Sequence, residues 1–204
     1  MYARATWAES SKDQIEARLA DYPRRMKSIR EAPGCIGIAA LINRETGAAV
    51  SVSYWESKEA MLATEAAGEQ LRTQVQAEGT RVRDIDRFEV VLQERIAPPN
   101  SGTFVRVSDF VAPRDKVDAV VDVLRARLPE GRKMPGFRAL LVSANRETGR
   151  MLIASIWNTA VDREASFEAV RSLRQELDAV RGTGGVQTDL YEVAYSDITL
   201  PAPV

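Results

Sequence analysis

The sequence predicts an α+β protein made of two copies of one β-α-β-β-α-β unit. Three observations carry that prediction. The pentapeptide Asn43-Arg44-Glu45-Thr46-Gly47 returns as Asn145-Arg146-Glu147-Thr148-Gly149, 102 residues later (145 − 43). The same offset places Pro33-Gly34 on Pro135-Gly136, Ser53 on Ser155, Trp55 on Trp157, Arg4 on Arg106 and Asp13 on Asp115. A register held without a gap from Arg4 to Trp55 is a tandem duplication, and so long a period makes each copy a small domain of its own. Within each copy, apolar patterns of strand type and helix type follow one another in the same order.

In the first copy, residues 2–8 alternate and read as a strand. Ser11 and Gln14 form a capping-box pattern ahead of a helix whose stripe is Ile15, Leu19, Tyr22, Met26 and Ile29, with Pro23 as a point of kinking. Pro33-Gly34 ends it. Residues 35–42 are apolar throughout, as expected of a strand covered on both faces. Arg44-Glu45-Thr46-Gly47 is a turn with Gly at the position of positive φ. The strand over 48–55 returns with Val50, Val52 and Tyr54 on one face and Ser51, Ser53 and Trp55 on the other. Ser57 is placed to cap a helix over 58–76, Gly79 ends it, and a last strand covers 82–93.

Residues 96–103, with Pro98-Pro99-Asn100-Ser101-Gly102, break every period and read as a linker between repeats at 1–95 and 104–197. The second copy repeats the order: a strand over 103–111, a helix from Arg114 stopped by Pro129-Glu130-Gly131, and paired strands at 137–144 and 150–157. A helix over 161–181 and a strand over 186–195 complete it. Gly182-Thr183-Gly184-Gly185 follows a helix and lacks a Lys-Ser/Thr ending, so it reads as a loop and not a phosphate cradle. Residues 198–204 read as an unstructured tail. Each copy thus has the ferredoxin-like split arrangement. A four-stranded sheet with helices on one face leaves its other face bare, and two such sheets packed together solve the problem. The predicted architecture is a fused, pseudo-dimeric α/β barrel.

Composition narrows the chemistry. The 204 residues are 45% hydrophobic and 28% charged, with a formal net charge of −1, which gives no electrostatic reason to expect nucleic acid or an anionic membrane as partner. No apolar run approaches membrane-spanning length and the start lacks a signal-type apolar segment, so a cytoplasmic location is expected. Cys35 is the only cysteine, which excludes an intrachain disulfide. Histidine is absent altogether. That removes Ser-His-Asp and Cys-His nucleophile systems, His-ligated metals and the usual general base near neutral pH.

The segments Pro33-Gly34-Cys35 and Ser53-Tyr54-Trp55-Glu56-Ser57-Lys58-Glu59-Ala60 resemble the antibiotic biosynthesis monooxygenase family of dimeric α/β barrels. Pro135-Gly136-Phe137 and Ser155-Ile156-Trp157-Asn158-Thr159 carry the same pattern in the second copy. The resemblance implies a small-molecule substrate and, in members that act on polycyclic phenols without metal or flavin, a pocket lined by the Trp that ends the third strand. A polar residue on the first strand assists. It therefore nominates Trp55 and Trp157 with Thr6 and Ser108 as catalytic residues, and implies no cofactor. The haem-degrading branch of that family needs a His after the Trp, and neither copy has one. Haem held by Tyr22, Tyr54 or Tyr191 ranks last.

Each nominated residue also has a plainer reading. Either Trp can fill the interior and bond one partner through its N–H. By alternation Arg4 and Arg106 share a face with Thr6 and Ser108. They would bind an anionic substrate if that face lined the barrel interior, or else pair with an acid across the sheet. Ser53 and Ser155 share the Trp face and join the arginines as candidate substrate contacts. Two functions are expected from these readings: a monooxygenase for an electron-rich aromatic molecule, or a barrel that binds a small apolar molecule without chemistry. Trp7 opposite Asp109, and Glu56 opposite Asn158, show that the copies have diverged, so one half can hold a site that the other has lost. The chain is expected to act as a monomeric pseudo-dimer or as a homodimer.

Overall fold

The computed structural model describes residues 1–182 and 184–199. The strands are β1 (Tyr2–Glu9), β2 (Cys35–Ile42), β3 (Ala48–Trp55), β4 (Arg81–Arg95), β5 (Phe104–Val111), β6 (Phe137–Asn145), β7 (Arg150–Trp157) and β8 (Gln187–Ile198). The helices are α1 (Ile15–Arg25), α2 (Lys27–Arg30), α3 (Lys58–Ala63), α4 (Glu65–Ala77), α5 (Val117–Gly131), α6 (Ala160–Ala165) and α7 (Phe167–Arg181). The strands are hydrogen-bonded in the closed order β1-β3-β2-β8-β5-β7-β6-β4. Closure leaves the sheet no free edge.

The chain forms two compact units, and the final strand of each repeat is divided between them. The first unit takes Met1–Arg87 and the end of β8 from Glu192; the second takes Phe88–Tyr191. In the first, β1 pairs with β3, β3 with β2, and β2 with β8 in a register that sets Ala39 opposite Ser196 and Ile42 opposite Glu192. In the second, β5 pairs with β7, β7 with β6, and β6 with β4, setting Leu141 opposite Gln93. The same bulge recurs near the start of β2 and of β6, between Cys35 and Gly37 and between Phe137 and Ala139.

The hairpin turns behave as their sequence requires. Asn43 Oδ1 accepts from the amides of Glu45 and Thr46, and Asn145 does the same for Glu147 and Thr148. Gly47 and Gly149 have φ of +81° and +79°, a region that a side chain disfavours. A Cβ on Gly47 would also stand 2.2 Å from the Ser10 carbonyl oxygen.

Three local features depart from the sequence reading. The Ser11–Gln14 capping box is replaced by a 3₁₀ turn over Lys12–Gln14, and the Gln14 side chain accepts from Arg18 instead. The helix through Pro23 breaks at Met26, three residues past the ring. α5 ends at Gly131, within the Pro129-Glu130-Gly131 stretch expected to stop it. The long second helix of each copy is broken in two, at Thr64 and at Ser166. There the hydroxyl bonds back to the carbonyl three residues earlier, Met61 at 2.9 Å and Arg163 at 2.7 Å, the kind of competition with the helix ladder that bends helices. The final strands also run longer than expected, to Arg95 and to Ile198. Thr183, and the tail from residue 200, lie outside the described residues.

Each unit has its own core. Ile29, Ile38, Trp55 and Met61 form one, flanked by Tyr22, Met26 and Leu71. Phe110, Val120, Leu124, Val142 and Met151 lie at the centre of the other. Among the described residues no helix is long and apolar enough to cross a membrane.

Candidate functional site

Each unit holds a cavity between its sheet and its helices. The first, about 190 Å³, is bounded on the sheet by Arg4, Thr6, Ser51 and Ser53 and on the helices by Leu19 and Tyr22, among others. The second, about 320 Å³, is bounded by Arg106, Ser108, Ser155 and Trp157 on its sheet and by Leu124 and Leu173 on its helices. The face that carries Arg4 and Thr6, or Arg106 and Ser108, therefore looks toward the helices.

The two tryptophans differ in their surroundings. Trp55 is fully buried and belongs to the core cluster with Ile29 and Met61, where its Nε1–H donates to Ser53 Oγ at 2.9 Å. It is not among the described residues in the wall of the first cavity. Trp157 donates to Ser155 Oγ at 3.1 Å, packs edge-on against Phe137 with ring centroids 5.5 Å apart, and lines the second cavity. In both copies the serine two residues before the Trp shares its strand face and satisfies the indole, as the period of a strand requires.

The two arginines differ more. Arg4 is buried, and its Nη1 lies 3.5 Å from Glu65 Oε2 while Nη2 donates to Thr64 Oγ1 at 3.1 Å. Burial drags its pKa down more than Glu65 raises it. Glu65 also binds Arg72 at 3.0 Å and Arg87 at 2.7 Å. Burial pushes the Glu65 carboxyl up, but Arg87, Arg4 and Arg72 together hold it below the usual range. Gly68 leaves the space for this cluster, since a Cβ there would come within 3.3 Å of the Arg4 guanidinium.

Arg106 is 2% exposed and meets no carboxylate among the described residues. Its Nη2 donates to Ser166 Oγ at 2.9 Å and to the Arg163 carbonyl, while Nε and Nη1 have no hydrogen-bond partner. The position of Glu65 is occupied in the second copy by Phe167, and the guanidinium lies 4.3 Å from that ring's centroid. Burial, with the neighbouring Arg163 charge added, pushes the Arg106 pKa down to about 10.

Tyr22, Tyr54 and Tyr191 are held protonated. The Tyr22 hydroxyl donates to the Ala39 carbonyl at 2.9 Å and shares a hydrogen bond with Ser51 Oγ at 2.8 Å. Burial raises its pKa, raises that of Tyr191, and pushes Tyr54 up to about 12. A tyrosinate ligand for haem would work against all three shifts. Burial likewise raises the pKa of the Cys35 thiol.

Sequence reasoning thus named the sheet side of both cavities and missed the helix side. Thr64, Glu65, Ser166 and Phe167 stand at the helix breaks that meet the first-strand arginines. A position-by-position comparison of the copies would have exposed the Glu65-to-Phe167 difference.

Other proteins of known structure share this fold. An uncharacterised protein of Mycobacterium tuberculosis is 24% identical over 210 residues, covering 98% of this chain and 91% of that one. An anthrone oxidase-like protein of known structure superposes with a TM-score of 0.74 at 16% identity, over 100% of this chain and 96% of that one. A candidate monooxygenase from Lactobacillus acidophilus superposes with a TM-score of 0.69 at 8% identity, over 97% and 96%. At these identities the structures speak for the fold. Residues 2–76 match the profile of the antibiotic biosynthesis monooxygenase family. That match lies within the first repeat, and the solved structures, which cover nearly the whole chain, share the fold of both repeats.

Proposed function

We propose that the protein is a monooxygenase that oxidises an electron-rich aromatic small molecule, and that the second cavity is where it does so. The observation that carries this reading is the convergence of Trp157, Ser108, Ser155 and Arg106 on one apolar cavity. In the first cavity Thr6, Ser53 and Arg4 converge without the Trp.

In the proposed chemistry the substrate is the electron donor. A carbon or oxygen acid of an aromatic system loses a proton, and the anion gives one electron to dioxygen. The substrate radical and superoxide then combine in a new C–O bond. The resulting peroxide loses water, so that a CH₂ group and O₂ become a carbonyl and H₂O. The protein's part is to exclude bulk water, stack the ring system and stabilise the anion. Trp157 and Phe137 would supply the aromatic wall. Ser108 and Ser155 would supply hydroxyls at the strand face, and Arg106 the positive charge.

The test is oxygen uptake with anthrone as probe. Wild type should consume oxygen in proportion to the anthrone added. Trp157→Phe should keep its melting temperature and lose turnover, and Trp55→Phe should keep turnover. No anthrone-dependent uptake, and none with other tricyclic phenols, would overturn the reading. The rival is a barrel that only binds an apolar molecule. The first cavity favours it locally, because Trp55 is absent from its wall and Arg4 is already paired with Glu65. Binding of such molecules without oxygen uptake would decide for the rival.

A further inference from the structure

We infer that the two cavities have divided their ligand chemistry: the second takes an aromatic organic anion, with its carboxylate or phenolate oxygen at Arg106, and the first takes uncharged apolar molecules. This rests on the proposed reading of the cavities as ligand sites, and it names the charge of the ligand and the half that binds it.

The divergence lies in the countercharge. In the first copy the buried guanidinium of Arg4 is matched by the Glu65 carboxylate at 3.5 Å. In the second copy Phe167 stands in that place, and Arg106 keeps two nitrogens without partners although only 2% of the residue is exposed. A buried charge is normally paired, and leaving a hydrogen-bonding group unsatisfied costs free energy on its own. The ring of Phe167 offers Arg106 a cation–π contact at 4.3 Å, which is weaker than a carboxylate and leaves the N–H groups unused. An anionic ligand would supply what the protein omits.

Three further changes point the same way. Met61 of the first copy corresponds to Arg163, a second buried cation, 7% exposed, whose acidic partner Glu164 is 3.8 Å away. Arg72, bound to Glu65, corresponds to Arg174, which lines the second cavity and donates to Thr188 Oγ1. Gly68, which makes room for Arg4 to reach Glu65, corresponds to Val170 in the cavity wall. The one acid in that wall, Glu130, is held by Arg127 at 2.9 and 3.0 Å. Both walls carry arginines, but Arg4, Arg18, Arg25 and Arg72 of the first each meet a carboxylate, whereas Arg106 and Arg174 of the second meet none among the described residues. An apolar wall with such arginines suits a flat ring system ending in an anionic oxygen.

The experiment compares 9-anthracenecarboxylate with the uncharged 9-anthracenemethanol, titrated by fluorescence under argon so that binding is read without turnover. Wild type should bind the carboxylate about tenfold or more tightly than the alcohol, the scale of a charge-assisted hydrogen bond. That preference should disappear in Arg106→Gln, and in Phe167→Glu, which installs the carboxylate of the first copy at a position 44% exposed. It should persist in Arg4→Gln. Equal affinities in wild type, a preference that survives Phe167→Glu, or one lost in Arg4→Gln would each overturn the inference. Because Phe167→Glu changes a partly exposed residue, it decides the matter even if Arg106→Gln does not fold. Absence of oxygen uptake would sink the oxygenase reading and leave an observed anion preference intact.

Discussion

Arg44, in the first copy of the repeated turn, donates through Nε to Glu192 at 2.8 Å, a residue 148 positions further along the chain. Arg146, its counterpart, does the same to Glu89 at 2.7 Å. Each arginine also meets an acid near the start of its own copy, Glu16 or Asp118. The repeated pentapeptide is therefore more than a hairpin turn. Its Asn builds the turn, its Gly closes it, and its Arg ties it to the strand that completes the unit.

Arg44→Ala should destabilise the fold modestly. Both partners are partly exposed, so the expected loss is about 1 kcal/mol, or a fall of roughly 2–4 °C in melting temperature for a chain of this size. The difference between wild type and variant should shrink at high salt. Differential scanning fluorimetry across a salt series checks both points.

Trp55 and Ser53 are expected to behave as a structural pair. Trp55→Ala removes a fully buried ring and should cost about 3–5 kcal/mol. Ser53→Ala leaves the indole N–H without its acceptor and should cost about 1–3 kcal/mol. Urea unfolding of the two variants measures both losses, and a near-neutral Trp55→Ala would contradict the burial.

Glu65 makes stability depend on pH in one direction. Its folded-state pKa lies below the unfolded value, so its contribution is complete above the ordinary carboxylate pKa of about 4.3. The contribution is lost as pH falls through the depressed folded value. Glu65→Gln should therefore be less stable than wild type at neutral pH, and the two should converge in acid below that window. Melting temperatures of both proteins from neutral pH downward give the comparison. A gap that stays constant would show that the carboxylate charge is not what holds Arg4, Arg72 and Arg87 together.

Gly47→Ala should be more damaging than its size suggests. The left-handed backbone disfavours a side chain by about 1–2 kcal/mol, and the new Cβ would meet the backbone oxygen of Ser10 at 2.2 Å. A loss of about 2 kcal/mol or more in chemical unfolding is expected.

The strands and turns were legible because their signals are local. Residues 35–42 and 48–55 were placed to the residue by an apolar run, a turn and a returning alternation. Ser57 was legible as a cap for the same reason, and its Oγ accepts from the Ala60 amide at 3.0 Å. The helix breaks at Thr64 and Ser166 were not legible. A single hydroxyl inside a good helical pattern says nothing until a buried arginine on another element is there to donate to it. The face carrying Arg4 and Arg106 was identified by alternation, but alternation cannot say which of two faces meets the helices. The difference between Trp55 and Trp157 depends on packing that two identical strand endings do not reveal.

The division of β4 and β8 between the units has a consequence for how the chain is made. The segment of β2 from Gly37 to Ile42 pairs on one side with residues 192–198, which are synthesised about 150 residues later (192 − 42). At ordinary rates of synthesis the wait is on the order of ten seconds. Until then that strand presents unpaired backbone groups, the template on which misassembly with another nascent chain starts. Deleting even a few residues of β8 should therefore lower the yield of soluble protein through the fate of the first repeat.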